Sequence, residues 1–476
     1  MDTTNQGLRT SILRSVPVVL LIFLMACAQV GTVKSIGIYL KDISYSLGTT
    51  STDIGFALGL FAAFSYFPAP LIAALYRLSW TRRPLLIGGS IFISLGVMLT
   101  ALATDNALIA VYLSISGLGH CVVSISATIA LSQMTSEHTF NLLFGFGMSG
   151  FGLGMVLLPL LAELLGEVYG WRAGILILGC LMANLVPCAL AIRLPVAESR
   201  PVDQSLIYQE LEHSEDFEES LVNNCSTEEE EIAPLCPRGA DFNQAGVGES
   251  SICSSSVNRV KMESRKNETS AKRTLGKLRD SFYRSDFYRD PVFNFIFLTS
   301  VMLGIVYCGW HSFLVPHAFQ RGYSVRATIL MTFCASVGNF LGRLLAGALS
   351  GHLANPVTLC LGATLLNAFS ILCDAFLQDY YVMIVTACIS AICIAGISVL
   401  SPLSVKKRAS SGSFDVAFAV NDLFFGLGTF FGGYLSGVVG GVFLSYDAIF
   451  KFLGGVQIVA FVLMLPYAVF EKPAEL

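Results

Sequence analysis

Twelve apolar stretches of about twenty residues each follow one another along the chain, and each is long enough to cross the hydrocarbon core of a bilayer. They lie near 16–40, 53–76, 84–103, 107–134, 140–166, 172–194, 292–316, 326–350, 355–374, 380–403, 413–438 and 445–469. Lipid offers no hydrogen bonds to a backbone, so runs of this kind must satisfy their own amides as helices. The pattern predicts an all-α polytopic membrane protein with twelve transmembrane helices. A composition of 54% hydrophobic and 13% charged residues, with a mean hydropathy of +0.68, excludes an ordinary soluble domain. At the amino end, Arg9 and Arg14 precede an apolar run in which Ala26-Cys27-Ala28 resembles a signal-peptidase site. The run resumes at 36–40, and cleavage would spoil the six-span count of the first half, so 16–40 is read as the first span.

Charge is concentrated in one place. Residues 198–290 hold 19 of the 33 acids and 12 of the 29 bases. An acidic block that includes Glu228 to Glu231 gives way to a basic one from Arg259 to Arg289, a composition expected of a disordered linker. This predicts a short amino-terminal tail (1–15), a six-helix bundle (16–194), a charged linker (195–290), a second six-helix bundle (291–470) and a short carboxyl-terminal tail (471–476). Short loops carrying Arg77, Arg82 and Arg83 or Lys406, Lys407 and Arg408 fall on the linker's side. By the positive-inside rule the linker and both termini are cytoplasmic, and the sequons at Asn224 and Asn267 stay unglycosylated. Two pseudo-symmetric bundles of this kind are the pattern of a parallel-repeat transporter, with its site near midplane between the halves.

Charges inside the spans need a reason. Arg343 sits about 10 Å, seven residues at helical rise, from the inner end of the eighth span. Ala335, Gly338, Asn339, Gly342, Arg343, Ala346 and Gly347 recur at i, i+3 and i+4 and make one small or polar stripe, with Phe333, Val337, Phe340, Leu341, Leu344 and Leu345 opposite. Snorkelling to the interface is the alternative for Arg343, but its place on the close-packing stripe favours a protein interior. It is the leading candidate to bind an anion. Lys34 lies about two turns from the outer end of the first predicted span, where snorkelling and a functional role compete. Tyr66 precedes Pro68 and Pro70, so it is either an interior hydrogen-bonding group or packing beside a kink. His120 stands in a polar stripe with Ser116, Ser124 and Thr128, and a satisfied interior histidine is the first reading of it. Asp422 is the deepest acid of the eleventh span, whereas Asp415 reads as a solvated helix end. Trp310 and His311 fall in the seventh span with His317 at its outer end, and the two histidines read as solvated or interfacial. Ten of the 13 cysteines lie in apolar spans with no close C-x-x-C pair, as small buried hydrophobes do.

These residues resemble the monocarboxylate transporter family of the major facilitator superfamily. The likeness rests on Val33-Lys34-Ser35-Ile36 with Tyr66 at the family's spacing, and on Gly147-Met148-Ser149-Gly150 leading to Gly154. Its most specific part is Gly170-Trp171-Arg172 followed by Ile175-Leu176-Ile177-Leu178-Gly179. The resemblance implies that Lys34, Tyr66 and Arg343 contribute to monocarboxylate binding and translocation. It also marks three departures. The family's acidic-Gly-Gly-Trp-Gly-Trp signature is missing from the first span, and Glu137-His138-Thr139-Phe140-Asn141 replaces the basic cluster before the fifth. The aspartate that carries the coupled proton in proton-linked members is Asn339 here. An amide does not titrate, so His120 and Asp422 are the reserve candidates for proton coupling.

The function expected is plasma-membrane transport of small monocarboxylates or related polar organic solutes by alternating access. The alternative is a non-transporting sensor or scaffold that acts through its linker. No metal-spaced cluster or nucleophile motif suggests an enzyme, and no cofactor, metal or nucleic acid is expected. The expected partners are a small organic anion, the lipid bilayer and, as in some members of the family resembled, a single-span ancillary glycoprotein.

Overall fold

The structure, a computed structural model, describes residues 2–48, 51–194, 290–350, 354–410 and 413–470. The readings made of residues 195–289, including the charged linker and both sequons, lie outside the described residues. The first half comprises α1 (Asp2–Leu47), α2 (Ser51–Tyr66), α3 (Ala69–Tyr76), α4 (Arg82–Thr100), α5 (Asn106–Met134), α6 (Glu137–Met148), α7 (Gly150–Met182) and α8 (Leu185–Ala191). The second comprises α9 (Val292–Gln320), α10 (Val325–Leu349), α11 (Pro356–Phe376), α12 (Tyr380–Arg408), α13 (Phe414–Phe443) and α14 (Tyr446–Val469).

Among the described residues, eleven helical segments are long and apolar enough to cross a membrane, and one of them, Glu137–Ala191, is 55 residues long. At helical rise that is roughly 80 Å, more than twice the thickness of a bilayer core. Gly170 divides it. With φ 77° and ψ 168° it takes a backbone conformation that a side chain would strain, and the chain turns there between the fifth and sixth spans. The twelve expected crossings are therefore present, in two six-helix bundles. The other turns are short and locally capped. Asp105 accepts from Leu108 N at 2.9 Å, Asp379 accepts from Tyr381 N and Val382 N, and Asn355 caps α11 ahead of Pro356.

In the first bundle α1 packs on α7, and α5 packs on both α2 and α4. In the second, α9 packs on α13 and α14, α10 on α12, and α11 on α12 and α14. The bundles meet where α6 and α7 face α10, and where α2 and α3 face α13. Closeness explains the glycine run of the fifth span. A Cβ on Gly150 would lie 2.1 Å from Phe23 O and one on Gly154 2.3 Å from Cys27 O, both on α1. On the other face, a Cβ on Gly145 would lie 2.7 Å from Gly347 Cα and one on Gly152 2.5 Å from Phe340 N. The helix is thus free of side chains on two sides because it is pressed against both its own bundle and the opposite one.

One sequence expectation is revised by the structure. Helix α1 does not stop at residue 40 but runs to Leu47, because a helix can leave the membrane on polar residues such as Lys41 and Asp42. Lys34 therefore lies roughly three and a half turns from the helix end, while its distance from the end of the apolar run stays at about two turns. Trp171 and Arg172 follow the turn at Gly170. Trp171 is buried, and Arg172 donates to the carbonyls of Ala101 at 2.8 Å and Ala103 at 2.9 Å, closing the exposed end of α4.

Candidate functional site

The small-residue stripe on α10 faces inward as the periodicity requires. Ala335, Gly338, Asn339, Gly342, Arg343, Ala346 and Gly347 are all buried, while Phe333, Val337, Leu341 and Leu345 are exposed on the outer face. Arg343 is only 1% accessible, the largest side chain so fully buried. Its Nε donates to Asn339 Oδ1 at 3.2 Å, one turn earlier on the same helix. Its guanidinium carbon lies 4.4 Å from the centre of the Phe151 ring, which comes from the other bundle. Nη1 of Arg343 and Nδ2 of Asn339 have no hydrogen-bond partner among the described residues. The arginine is thus held by Asn339, by the Phe151 ring and by the Tyr307 hydroxyl, with Nη1 of its donor fork unused.

That fork borders a cavity between the bundles. Tyr66, Arg343 and Asp422 line it together with Met25, Gln29, Phe151, Tyr307, Asn421 and Phe425, among others. Among the described residues, Arg343 and Asp422 are the charged side chains in its wall. The Tyr66 ring packs edge-on against Phe425 at 5.6 Å, and its hydroxyl is within electrostatic reach of both Arg343 and Asp422. Pro68 sets up this position. It breaks the second span just after Tyr66, so that α3 restarts at Ala69 and Tyr66 stands at a helix end beside the cavity. Asp422 forms no ion pair or hydrogen bond among the described residues.

The remaining sequence candidates lie around the cavity rather than in its wall. Lys34 is half-buried on α1, within electrostatic reach of the His311 ring, which in turn is within reach of Arg343. His120 is fully buried away from the cavity. Its Nδ1 donates to the Ser116 carbonyl at 2.8 Å, and its ring meets Phe61 edge-on at 5.4 Å. The sequence reading did not single out Tyr307, Gln29, Phe151 or Asn421. Tyr307 lies one turn before His311, with ring centres 4.6 Å apart, but an aromatic at membrane depth gives no sign of its own that it faces a cavity.

The end of the molecule where residues 194 and 290 lie is closed by contacts between the bundles. Arg77 holds Asp415 through Nε at 2.8 Å and Nη2 at 3.1 Å. Asn141 Nδ2 reaches Ser350 Oγ at 3.3 Å, and the Lys406 ammonium lies 3.4 Å from the centre of the Phe140 ring. Asp415 is therefore not a solvated helix end but half of a two-pronged ion pair across the bundles.

At the opposite end, His317 corrects another expectation. Trp310 is 2% accessible and His317 fully buried. His317 Nε2 lies 3.3 Å from Asp374 Oδ2 and 3.6 Å from Asp447 Oδ1, and its ring stacks on Phe450 at 4.2 Å. Arg321 bonds the same two aspartates at 3.1 and 2.9 Å. The cluster ties α9, α11 and α14 together within one bundle. His311, by contrast, is half-buried beside Lys34 and Arg343, not at an interface.

Two six-helix membrane bundles thus close together at one end and leave between them a cavity with one basic and one acidic side chain in its wall. The chain belongs to the Major Facilitator Superfamily, whose family model matches residues 19–400. Among curated proteins it is similar to monocarboxylate transporter 11 of Homo sapiens, 30% identical over 169 residues. It is also similar to monocarboxylate transporter 4 of Mus musculus, 28% identical over 167 residues. These matches span about a third of this chain and of each relative: 35% and 35% for the first, 34% and 35% for the second. The resemblance read from the sequence is matched by them. Among solved structures, the human organic anion transporter MFSD10 (TETRAN) superposes with a TM-score of 0.63, covering 94% of this chain and 99% of that one at 13% identity. The fucose:proton symporter FucP of E. coli, in its N162A form, gives 0.63 over 95% and 98% at 13% identity. At that identity the likeness is one of fold.

Proposed function

We propose that the protein carries small monocarboxylates or related polar organic anions across the plasma membrane by alternating access to the central cavity. The observation that carries this reading is Arg343: buried, braced by Asn339 and Phe151, and with donor capacity left over beside the cavity. A buried guanidinium with unused donors is costly by itself and is compensated by an anion that can take two parallel hydrogen bonds. Lys34 and His311 lie above it in an arrangement suited to drawing an anion inward. Tyr66 stands where its hydroxyl can meet a substrate oxygen. The closed Arg77–Asp415 end supports a cycle in which the two bundles rock about the cavity.

The test is uptake of labelled monocarboxylates into liposomes holding the purified protein, with Arg343→Ala alongside. Saturable uptake by the native protein that falls about 100-fold in the variant is expected, since losing a charge-assisted bidentate bond costs about 3 kcal/mol. Equal uptake by both would remove Arg343 from the site.

The linker and both termini are proposed to be cytoplasmic, because the basic loop residues Arg82, Arg83 and Lys407 lie at that end. A tag inserted near Gly246 is then labelled only after the cells are permeabilised. Labelling of intact cells would reverse the orientation.

A further inference from the structure

The cavity wall holds two charges of opposite sign, and neither is used up. Arg343 keeps an unpartnered Nη1. Asp422, on α13, has no ion pair or hydrogen bond among the described residues, and the two do not pair with each other. Tyr66 lines the same cavity, within electrostatic reach of both. An anion bound on Arg343 satisfies only one of these groups. It also brings a second negative charge into a low-dielectric cavity that already contains the Asp422 carboxylate. A buried carboxylate with no partner is costly, by several kcal/mol, and the cost is relieved by a cation or by a proton.

We infer that the substrate is amphoteric: a monocarboxylic acid that also carries an ammonium group, its carboxylate on Arg343 and its ammonium on Asp422. This rests on the carboxylate-carrier reading above and narrows it. A molecule with both charges satisfies both walls at once and enters with no net charge. Among the other residues lining the cavity, Phe144, Phe151, Phe418 and Phe425 offer aromatic surface that suits the hydrocarbon skeleton of such an acid. The aromatic faces also tolerate an ammonium passing over them. Discrimination follows from the same geometry. An acid of the same skeleton without the ammonium leaves Asp422 unpaired, and a site built around a polar group rejects the analogue that lacks it. Asp422 is thereby a specificity-determining residue, and the Arg343-to-Asp422 axis sets the orientation of the substrate.

The experiment uses the full-length protein in liposomes and two matched pairs of labelled acids. One pair is leucine and 4-methyl-2-oxopentanoate, with the ammonium next to the carboxylate. The other is 5-aminopentanoate and pentanoate, with the ammonium far from it. In at least one pair, the ammonium-bearing member is taken up about tenfold faster, and Asp422→Asn lowers that ratio about tenfold while Asp422→Glu keeps most of it. The same preference appears as a larger rise in thermal unfolding temperature of the native protein with the ammonium-bearing member, a readout that needs no variant to fold. Native protein that prefers the ammonium-free member of both pairs overturns the inference, and so does a ratio that Asp422→Asn leaves where it was. If the ammonium-free acids are carried, and carried through Arg343, only this inference falls. If none of the four acids is carried, the carboxylate-carrier reading falls with it.

Discussion

Arg343→Lys is expected to lose nearly as much transport as Arg343→Ala, on the order of 100-fold, although it keeps the positive charge. Charge is only part of what this position supplies. The guanidinium is planar and lies against the Phe151 ring at 4.4 Å, and Nε is committed to Asn339 at 3.2 Å. Those two contacts fix the plane of the fork and so the direction in which the remaining donors point. A lysine ammonium offers three donors on a single point and no plane, and its stem has no counterpart to the Nε bond. It would leave the Asn339 amide, already unpartnered at Nδ2, with less still to hold. Lys34→Arg is expected to be milder, because attraction from a wet vestibule depends mainly on charge. Uptake assays across a concentration series decide the matter. Arg343→Lys protein with native rate and affinity would show that charge alone suffices.

The second large effect is expected from Asn339→Asp. In the native protein the side chain at 339 accepts a bond from Arg343 without neutralising it, so the arginine stays available to an anion at any ordinary pH. An ionised aspartate in that place would pair with Arg343 and compete with the substrate. Uptake at neutral pH with no gradient is therefore expected to fall about tenfold or more, as for a buried charge-assisted pair that must be broken. The sign of the pH response follows. Acidification protonates the introduced aspartate, frees Arg343 and restores uptake, so the variant gains a dependence on an inward proton gradient that the native protein has only weakly. Vesicle uptake with and without such a gradient compares the two. Strong gradient-driven accumulation by the native protein would mean that another group carries a proton. Asp422→Asn is then the first variant to examine, since Asp422 lines the cavity whereas His120 is sealed in the first bundle against Phe61.

The parts of this molecule that were legible in the sequence are those imposed by lipid. Bilayer thickness sets the length of each span, and close helix packing sets the stripe on α10, so both leave a periodic trace in one stretch of chain. The limits of α1 were not legible, because hydropathy marks where lipid ends and not where the helix does. The ion pair between Arg77 and Asp415 was also hidden, since its partners stand 338 positions apart and each alone looks like an ordinary terminal charge. His317 misled for a related reason. A polar or amphipathic residue near a span end suits the interface equally well when its partners, such as Asp374 or Asp447, are unknown. The cavity was the least legible feature. Met25, Phe151, Tyr307 and Phe425 come from four helices, and each could serve as plain packing. Arg343 and Asp422 stood out because charge at that depth is expensive wherever it occurs, and Tyr66 stood out by its place ahead of Pro68 and by the resemblance.

The glycines between α6–α7 and α10 have a mechanical consequence. Where Gly145 meets Gly347 and Gly152 meets Phe340, backbone touches backbone, and there are few interlocked side chains to lift apart before the surfaces can slide. Such a joint behaves as a bearing rather than a lock. Arg343 sits in the middle of it, resting on a ring that belongs to the other side. An anion that draws the guanidinium away from Phe151 removes an attraction of about 0.5–2 kcal/mol across the bearing surface. Under the proposed carrier function, occupancy of the site and friction at the joint would be settled by the same few atoms, and a loaded protein would turn more freely than an empty one.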